Sequence, residues 1–164
     1  MFGPVASGVE IERKFVLERR PPQLDDGDAI EQGYLAVADD GVEVRIRRRA
    51  GQATLTVKSG PGMVRTEEEI EIEPRRFDSL WPLTAGRRVT KTRHLVPVEP
   101  DLTAELDVYT GDNEGLLTAE IEFPSVEASE RFDPPEWLGR EVTGDHRFAA
   151  QSLALHGRPA DPAP

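Results

Sequence analysis

Residues 42–58, VEVRIRRRAGQATLTVK, show the alternation from which the fold class can be predicted. Apolar residues take every second position up to Ile46, and after the short stretch 50–52 the alternation resumes from Thr54 to Lys58. Because successive side chains of a β-strand point to opposite faces, each half predicts a strand with one apolar face and one polar, mostly charged face. Gly51 in the connection favours a tight hairpin between the two strands.

The same period of two recurs along most of the chain. It marks residues 9–15, 69–73, 91–93, 105–108 and 120–123. Glycine-containing turns at 39–41 and 59–62 separate neighbouring segments, so a meander of antiparallel strands is the simplest topology. Helical patterns are short and few. They lie at residues 75–81, 126–132 and 146–156, the last with Asp145 as N-cap and Gly157 at the stop position.

Length and composition limit the function classes. The 164 residues suit a single domain with a core over about residues 8–156, and the Pro- and Gly-rich stretch 157–164 predicts a disordered tail. With 20 Lys and Arg against 31 Asp and Glu, the net charge of -11 disfavours binding to nucleic acid or anionic membranes. The chain has no cysteine, no membrane-length apolar run and no signal peptide, which predicts a cytoplasmic protein whose metal ligands would be oxygen or histidine.

The charged strand faces have two interpretations. A charged face is usually solvated, since antiparallel sheets often expose one side to water. Here, however, like charges sit two residues apart, as in Glu10 and Glu12 or Arg45 and Arg47, where they repel each other. A bound cation would explain the carboxylates, and a bound polyanion would explain the basic groups.

Closure into a barrel would bring these faces together. We therefore predict an all-β to α+β fold, a closed antiparallel β-barrel of about eight strands with the charges inside. Trp81, Trp137, Phe132 and the C-terminal helix are expected to cover its apolar outside. The three histidines are expected at the surface, with a position at a mouth of the barrel as the alternative for His94.

The side-chain chemistry suits phosphoryl transfer. Mg²⁺ and Mn²⁺ prefer carboxylate oxygens, while Arg and Lys neutralise phosphate charge. Phosphoryl transfer needs positioning and charge stabilisation more than a covalent partner, so the lack of a cysteine nucleophile is no obstacle. No Gly-x-x-x-x-Gly-Lys-Ser/Thr motif is present, which argues against an ordinary P-loop NTPase.

EIERK at residues 10–14 resembles the Glu-x-Glu-x-Lys signature of the CYTH superfamily, the triphosphate tunnel metalloenzymes. Further segments resemble the family's motifs in order: QGYL at 32–35, VEVRIRR at 42–48, TLTVKSG at 54–60, VRTEEEIEI at 64–72, VTKTRHLV at 89–96, ELDVYTG at 105–111, AEIEF at 119–123 and REVTGDHRF at 140–148. The resemblance covers about residues 8–156 and points to the short bacterial single-domain type. The chain departs from it at His94, where relatives often carry Tyr, and at residues 149–151, where they often carry Lys.

The resemblance implies a site for a triphosphate and Mg²⁺ or Mn²⁺. Its implied metal ligands are Glu10, Glu12, Glu120 and Glu122. Its implied substrate-binding residues are Lys14, Arg45, Arg47, Lys58, Arg65, Lys91, Arg93 and Arg147. Its implied supporting residues inside the tunnel are Tyr34, Glu67, Glu69, Glu105 and Asp107. Its implied catalytic residues are Lys14 and Glu12. Lys14 would stabilise charge at the scissile phosphate, and a second metal or a carboxylate would orient the attacking water.

The implied function is metal-dependent hydrolysis of inorganic triphosphate, with nucleoside triphosphates as further substrates. Three alternatives stay open: a class IV-type adenylate cyclase, a thiamine triphosphatase, and a non-catalytic polyphosphate or nucleotide sensor. The expected partner is a small-molecule triphosphate, and a homodimer is left open.

Overall fold

A computed structural model describes residues 11–59 and 66–160, and within these ranges the chain is mostly β. The strands are β1 (Ile11–Val16), β2 (Asp28–Val37), β3 (Glu43–Arg49), β4 (Gln52–Lys58), β5 (Glu67–Ile72), β6 (Arg88–Glu99), β7 (Leu102–Thr110), β8 (Leu117–Phe123) and β9 (Arg140–Glu141). The α-helices are α1 (Pro74–Leu80), α2 (Val126–Arg131) and α3 (Ala150–His156). No helix in these ranges is long and apolar enough to cross a membrane.

The strands form one antiparallel sheet in the order β5-β4-β3-β2-β6-β7-β8-β1-β9. The predicted meander is confirmed, since most sheet neighbours are also neighbours in sequence. The part of the sheet within the described ranges has nine strands where about eight were predicted, because two residues of β9 pair with the end of β1. In the described ranges β5 and β9 form its two edges and no pairing joins them, so the predicted closure is not observed.

Register gives the sheet one charged and one apolar face. Lys14 lies opposite Glu120, which lies opposite Glu105 on its other side, so charged residues of three strands share what we call the charged face. The residues that alternate with these charged residues along the same three strands point to the opposite, apolar face. They form the main core together with α2 and the segment that follows it. That core includes Phe15, Leu106, Ile121, Phe132 and Leu138, all at most 5% exposed. The predicted separation of charged and apolar faces is confirmed.

The first and second helices cover the apolar face. Phe77 of α1 packs with Ile46 and Ala53 and stacks on Trp81 at a centroid distance of 5.1 Å. α2 begins after Ser125, whose hydroxyl accepts a hydrogen bond from the Ala128 amide. The expected roles of Trp81 and Phe132 in outer packing are therefore confirmed.

The C-terminal segment lies on the opposite side from the one expected. Its buried residues pack against apolar side chains at one end of the charged face, in a cluster formed by Tyr34, Val89, Tyr109, Leu116, Val142, Phe148, Leu153 and Ala154. The expectation that the terminal helix covers the outer apolar face is wrong, because the charged face carries its own apolar patch at this end. Asp145 caps a single 3₁₀ turn at residues 146–148, and α3 starts only at Ala150.

This cluster shows that the sheet is curled around the C-terminal segment. It joins Tyr34 on β2 and Val89 on β6 to Tyr109 on β7, and Val16 on β1 packs against it. These strands span four inter-strand spacings, about 19 Å in a flat sheet, whereas a helix is about 10 Å across. We infer that the charged face is concave at this end.

His94 is buried on the apolar side, where a surface position was expected. Its side chain is 2% exposed, and Nδ1 lies 2.9 Å from the Asp25 carboxylate. Gly27 adopts φ +68°, and a Cβ there would lie 2.8 Å from the imidazole. The loop that contains Gly27 can therefore close over the ring only with glycine at this position.

Candidate functional site

Three charged groups form the most buried polar cluster on the charged face. Asp107 on β7 accepts hydrogen bonds from Lys91 Nζ at 2.6 Å and from Arg93 Nε at 2.8 Å, both on β6. Arg93 also donates to Glu105. The side chains of Lys91 and Asp107 are 7% and 2% exposed, so their charges compensate each other in an environment with little water.

The charge states of this cluster depend on one another. Burial favours the neutral acid, yet the hydrogen bonds and charges of Arg93 and Lys91 lower the pKa of Asp107 below its usual value. Burial opposes the charge on Arg93, but Asp107 and Glu105 raise its pKa. Burial lowers the pKa of Lys91, and Asp107 counteracts that effect. The cluster therefore contains two cations that share the ionised carboxylate of Asp107, and one of them, Arg93, also pairs with Glu105.

Lys14 is held between strand β8 and the C-terminal segment. Its Nζ lies 2.8 Å from Glu120 Oε1 and donates to the Phe148 carbonyl at 2.7 Å. Burial acts against ionisation of Glu120, but Lys14 lowers the pKa of this carboxyl. An ammonium group has three N–H donors, and these two contacts use two of them. The third donor can serve a ligand on the charged face.

Arg45 and Arg47 lie side by side on β3 with little carboxylate compensation. Arg45 is 3.8 Å from Glu67, and its buried Nε has no hydrogen-bond partner within the described ranges. Arg47 forms no ion pair with any described residue, and its Nε donates to the neutral Gln32 amide at 2.8 Å. Burial and the nearby charges of Arg45 and Arg93 lower the pKa of Arg47. An anion bound here would relieve both the repulsion and the missing hydrogen bond.

Acidic side chains line a cleft of about 290 Å³ on the same face. Its lining residues are Glu12, Leu95, Thr103, Glu105, Glu120 and Glu122. Carboxylate oxygens are the ligands that Mg²⁺ and Mn²⁺ prefer, so the donor chemistry of the cleft fits such an ion. As positioned, no three carboxylate or imidazole groups in residues 11–59 and 66–160 converge into a ready metal site. Glu120 is already bound to Lys14, and the predicted ligand Glu10 lies outside the described residues.

Of the other predicted site residues, those on β4 and β5 bind one another or a neighbouring threonine. Lys58 and Glu67 pair across β4 and β5 at 3.4 Å, and Glu69 accepts a hydrogen bond from Thr56 at 3.0 Å. Arg147 does not join the charged face. Its side chain is 55% exposed and binds Asp145 at 2.6 Å. The other predicted substrate ligand, Arg65, lies outside the described residues.

No family model matches the chain. An inorganic triphosphatase from Nitrosomonas europaea is 41% identical over 146 residues, which cover 89% of this chain and 97% of that protein. An inorganic triphosphatase from Acetivibrio thermocellus is 37% identical over 149 residues, with 89% and 93% covered. The chain belongs to the inorganic triphosphatase family within the CYTH superfamily. The resemblance inferred from the motifs is confirmed.

Solved structures agree with this membership. The crystal structure of an inorganic triphosphatase superposes with a TM-score of 0.79 at 38% identity, covering 93% of this chain and 98% of that one. A putative adenylyl cyclase from Hippeastrum has a TM-score of 0.53 at 16% identity over 74% and 83% of the two chains. At 16% identity, the likeness to the Hippeastrum protein concerns the fold alone.

Within this triphosphatase family fold, sequence reasoning missed several uncharged residues of the charged face. Gln32, Thr56, Tyr109 and Thr118 are all at most 2% exposed there. Gln32 and Tyr109 contact the cations directly: Gln32 accepts from Arg47, and the Tyr109 ring centroid is 5.4 Å from Lys91 Nζ. For Tyr109 a usable signal was present, since it shares the alternation parity of Glu105 and Asp107 on β7. The charged residues of β2 have both parities, and Gln32 shares only the parity of the predicted Tyr34.

Proposed function

We propose that the protein hydrolyses inorganic triphosphate on the charged face with the help of a divalent cation. The observation that carries this proposal is the position of Arg45 and Arg47, two partly buried guanidinium groups, on the same face as an acidic cleft. In the described ranges Arg45 has only the long contact of 3.8 Å with Glu67, and Arg47 has no ion pair. Guanidinium groups fork onto phosphate oxygens, and oxygen-lined clefts suit hard cations. The kinship to inorganic triphosphatases supports the same substrate.

Each group has a role that its contacts support. Arg45 and Arg47 bind and orient the phosphate oxygens, while Lys58, Lys91 and Arg93 contribute positive charge further along the face. The third N–H of Lys14 donates to the phosphate under attack and stabilises the charge that develops there. Glu12 orients the attacking water. Glu12, Glu120 and Glu122, with Glu10, would hold Mg²⁺ or Mn²⁺, which supplies charge neutralisation at the phosphate oxygens.

A closed barrel is part of this proposal. Strand β5 pairs only with β4, and residues 11–13 of β1 pair only with β8 in the described part of the sheet, whereas the backbone of Lys14 already bonds to Val142 and Thr143. Unpaired strand edges are normally covered or paired. The sheet closes between β5 and β1, and the charged face becomes the lining of a tunnel that the C-terminal segment fills at one end.

A substrate panel tests the proposal. Tripolyphosphate, pyrophosphate, ATP and thiamine triphosphate are each assayed with Mg²⁺, with Mn²⁺ and with EDTA. We expect kcat/KM to be highest for tripolyphosphate and turnover to vanish with EDTA, because the carboxylates of the cleft repel phosphate unless a cation lies between them. Cyclic AMP among the ATP products would identify a cyclase instead. Binding of tripolyphosphate without turnover under all conditions would identify a sensor and contradict the proposal.

A further inference from the structure

We propose that Gln32 is a positioning residue that holds Arg47 in place without neutralising its charge, so that the guanidinium stays available to the phosphates. The inference rests on the proposed triphosphate substrate. Gln32 lies on β2 opposite Arg47 of β3, and its side chain is 1% exposed. A buried amide must satisfy both its acceptor and its donor, so its contacts define its orientation.

The hydrogen bonds of Gln32 form a chain on the charged face. Arg47 Nε donates to Gln32 Oε1 at 2.8 Å, and Gln32 Nε2 donates to the Tyr34 hydroxyl at 2.9 Å. Arginine can only donate, which fixes the amide oxygen toward Arg47. Burial raises the pKa of Tyr34, so its hydroxyl is a neutral acceptor, and Arg45 lies close enough to oppose that shift. Two neutral groups therefore lie against the two cations of β3.

The other cations of this face are held differently. Lys14 is paired with Glu120, and Lys91 and Arg93 are paired with Asp107. A carboxylate at position 32 would hold Arg47 through a stronger, charge-assisted hydrogen bond. It would also cancel the positive charge that a phosphate needs. The amide forms a weaker hydrogen bond but leaves the positive charge of Arg47 uncompensated. This arrangement is expected where the bound phosphate itself is the counter-ion of the arginine.

Gln32→Glu keeps the hydrogen bond to Arg47 but adds a negative charge beside it, because the two side chains have nearly the same shape. The variant therefore tests the charge apart from the hydrogen bond. The introduced carboxylate can still accept from Arg47, and the Tyr34 hydroxyl can rotate to donate to it. We expect the melting temperature without ligand to stay equal or rise. With Mg²⁺, KM for tripolyphosphate should rise about tenfold or more, since a charged hydrogen bond to the substrate loses its net charge.

Gln32→Met provides the opposite change, a neutral side chain of similar size without hydrogen bonds. Arg47 keeps its charge but loses the hydrogen bond to residue 32, and the Tyr34 hydroxyl loses the bond that Gln32 donates to it. The variant should therefore have a lower melting temperature. Its KM should rise less than that of Gln32→Glu. A purely structural role for Gln32 predicts the reverse order, in which KM follows the loss of stability and Gln32→Met is the worse variant.

Gln52→Glu is the matched control, since it makes the same chemical change at an exposed position of β4. It should leave KM and melting temperature unchanged. The inference is overturned if Gln32→Glu keeps a KM within about threefold of the wild type, fails to fold, or ranks below Gln32→Met in its effect on KM. If the wild-type protein neither binds nor hydrolyses tripolyphosphate, the proposed function fails, and the order of the melting temperatures still tests the charge argument.

Discussion

Lys14→Ala is expected to lower the turnover of tripolyphosphate by about a hundredfold or more. The ammonium group is anchored by Glu120 at 2.8 Å and by the Phe148 carbonyl at 2.7 Å, so it is fixed before substrate arrives. A fixed donor that meets developing charge needs no reorganisation during the reaction, which is why its loss affects turnover more than binding. The measurement is phosphate release at saturating tripolyphosphate and Mg²⁺.

Arg13→Ala is the matched control, since Arg13 is the adjacent residue and carries the same charge. It faces the apolar side, where its guanidinium binds Glu141 at 2.7 Å and donates to the carbonyls of Ser129 and Phe132. Turnover of the folded variant should stay within about threefold of the wild type. Equal losses in both variants, or a larger loss from Arg13→Ala, would contradict the assignment of the first strand.

The two variants should also differ in stability. Sequence alternation alone suggests that Arg13 is an exposed charge of little importance, but its contacts tie β1 to β9 and to the end of α2. Loss of these charge-assisted bonds should lower the free energy of unfolding by on the order of 2 kcal/mol. Urea unfolding measures this difference in free energy. The two turnover numbers are then compared at a temperature at which both variants are folded.

Asp107→Asn is expected to cause the largest loss of stability, about 3 kcal/mol or more. The change removes the carboxylate that pairs with both Lys91 and Arg93, and it leaves only the charges of Glu105 and Glu120 among the described residues to compensate them. Asp78→Asn is the control, because Asp78 pairs with Arg48 while 65% exposed, and it should cost a few tenths of a kcal/mol. Similar unfolding midpoints for the two variants would show that Asp107 does not hold the cluster.

The effect of Asp107 should depend on pH with a defined sign. Its folded-state pKa lies below the usual 3.8, so its stabilising contribution is fully present above that value and is lost as the pH falls through the folded-state pKa. The difference in unfolding free energy between wild type and Asp107→Asn should therefore be constant near neutral pH and narrow as the pH falls from about 5 to about 3 and below. A constant difference over this range would mean that the charge of Asp107 is not what stabilises the fold.

The strand faces could be predicted from sequence because alternation is a local property. The parity that separates Lys14 from Arg13 is fixed by the backbone of a single strand, and the structure has both on the predicted sides. The position of the C-terminal helix could not be predicted in the same way. Its partners Tyr34, Val89 and Tyr109 come from three separate strands, and the apolar patch they form exists only once those strands pair.

For the candidate site, too, the sequence predicts the face on which a side chain lies but not its partners. Charged residues on one parity indicated which side chains share a face, but not how each is compensated. The contrast between Lys91, held by Asp107, and Arg47, held by Gln32, depends on which residues lie opposite each other on neighbouring strands. Arg147 shows the same limit, since a nearby Asp145 holds its side chain at the surface.

A crystal structure of the protein with tripolyphosphate and Mg²⁺ would show where the substrate binds. We expect the phosphates on the charged face, with oxygens within hydrogen-bonding distance of Arg45, Arg47 and the free donor of Lys14. Tripolyphosphate bound only to exposed basic residues such as Arg75 and Arg76, with no ligand on the charged face, would contradict the account.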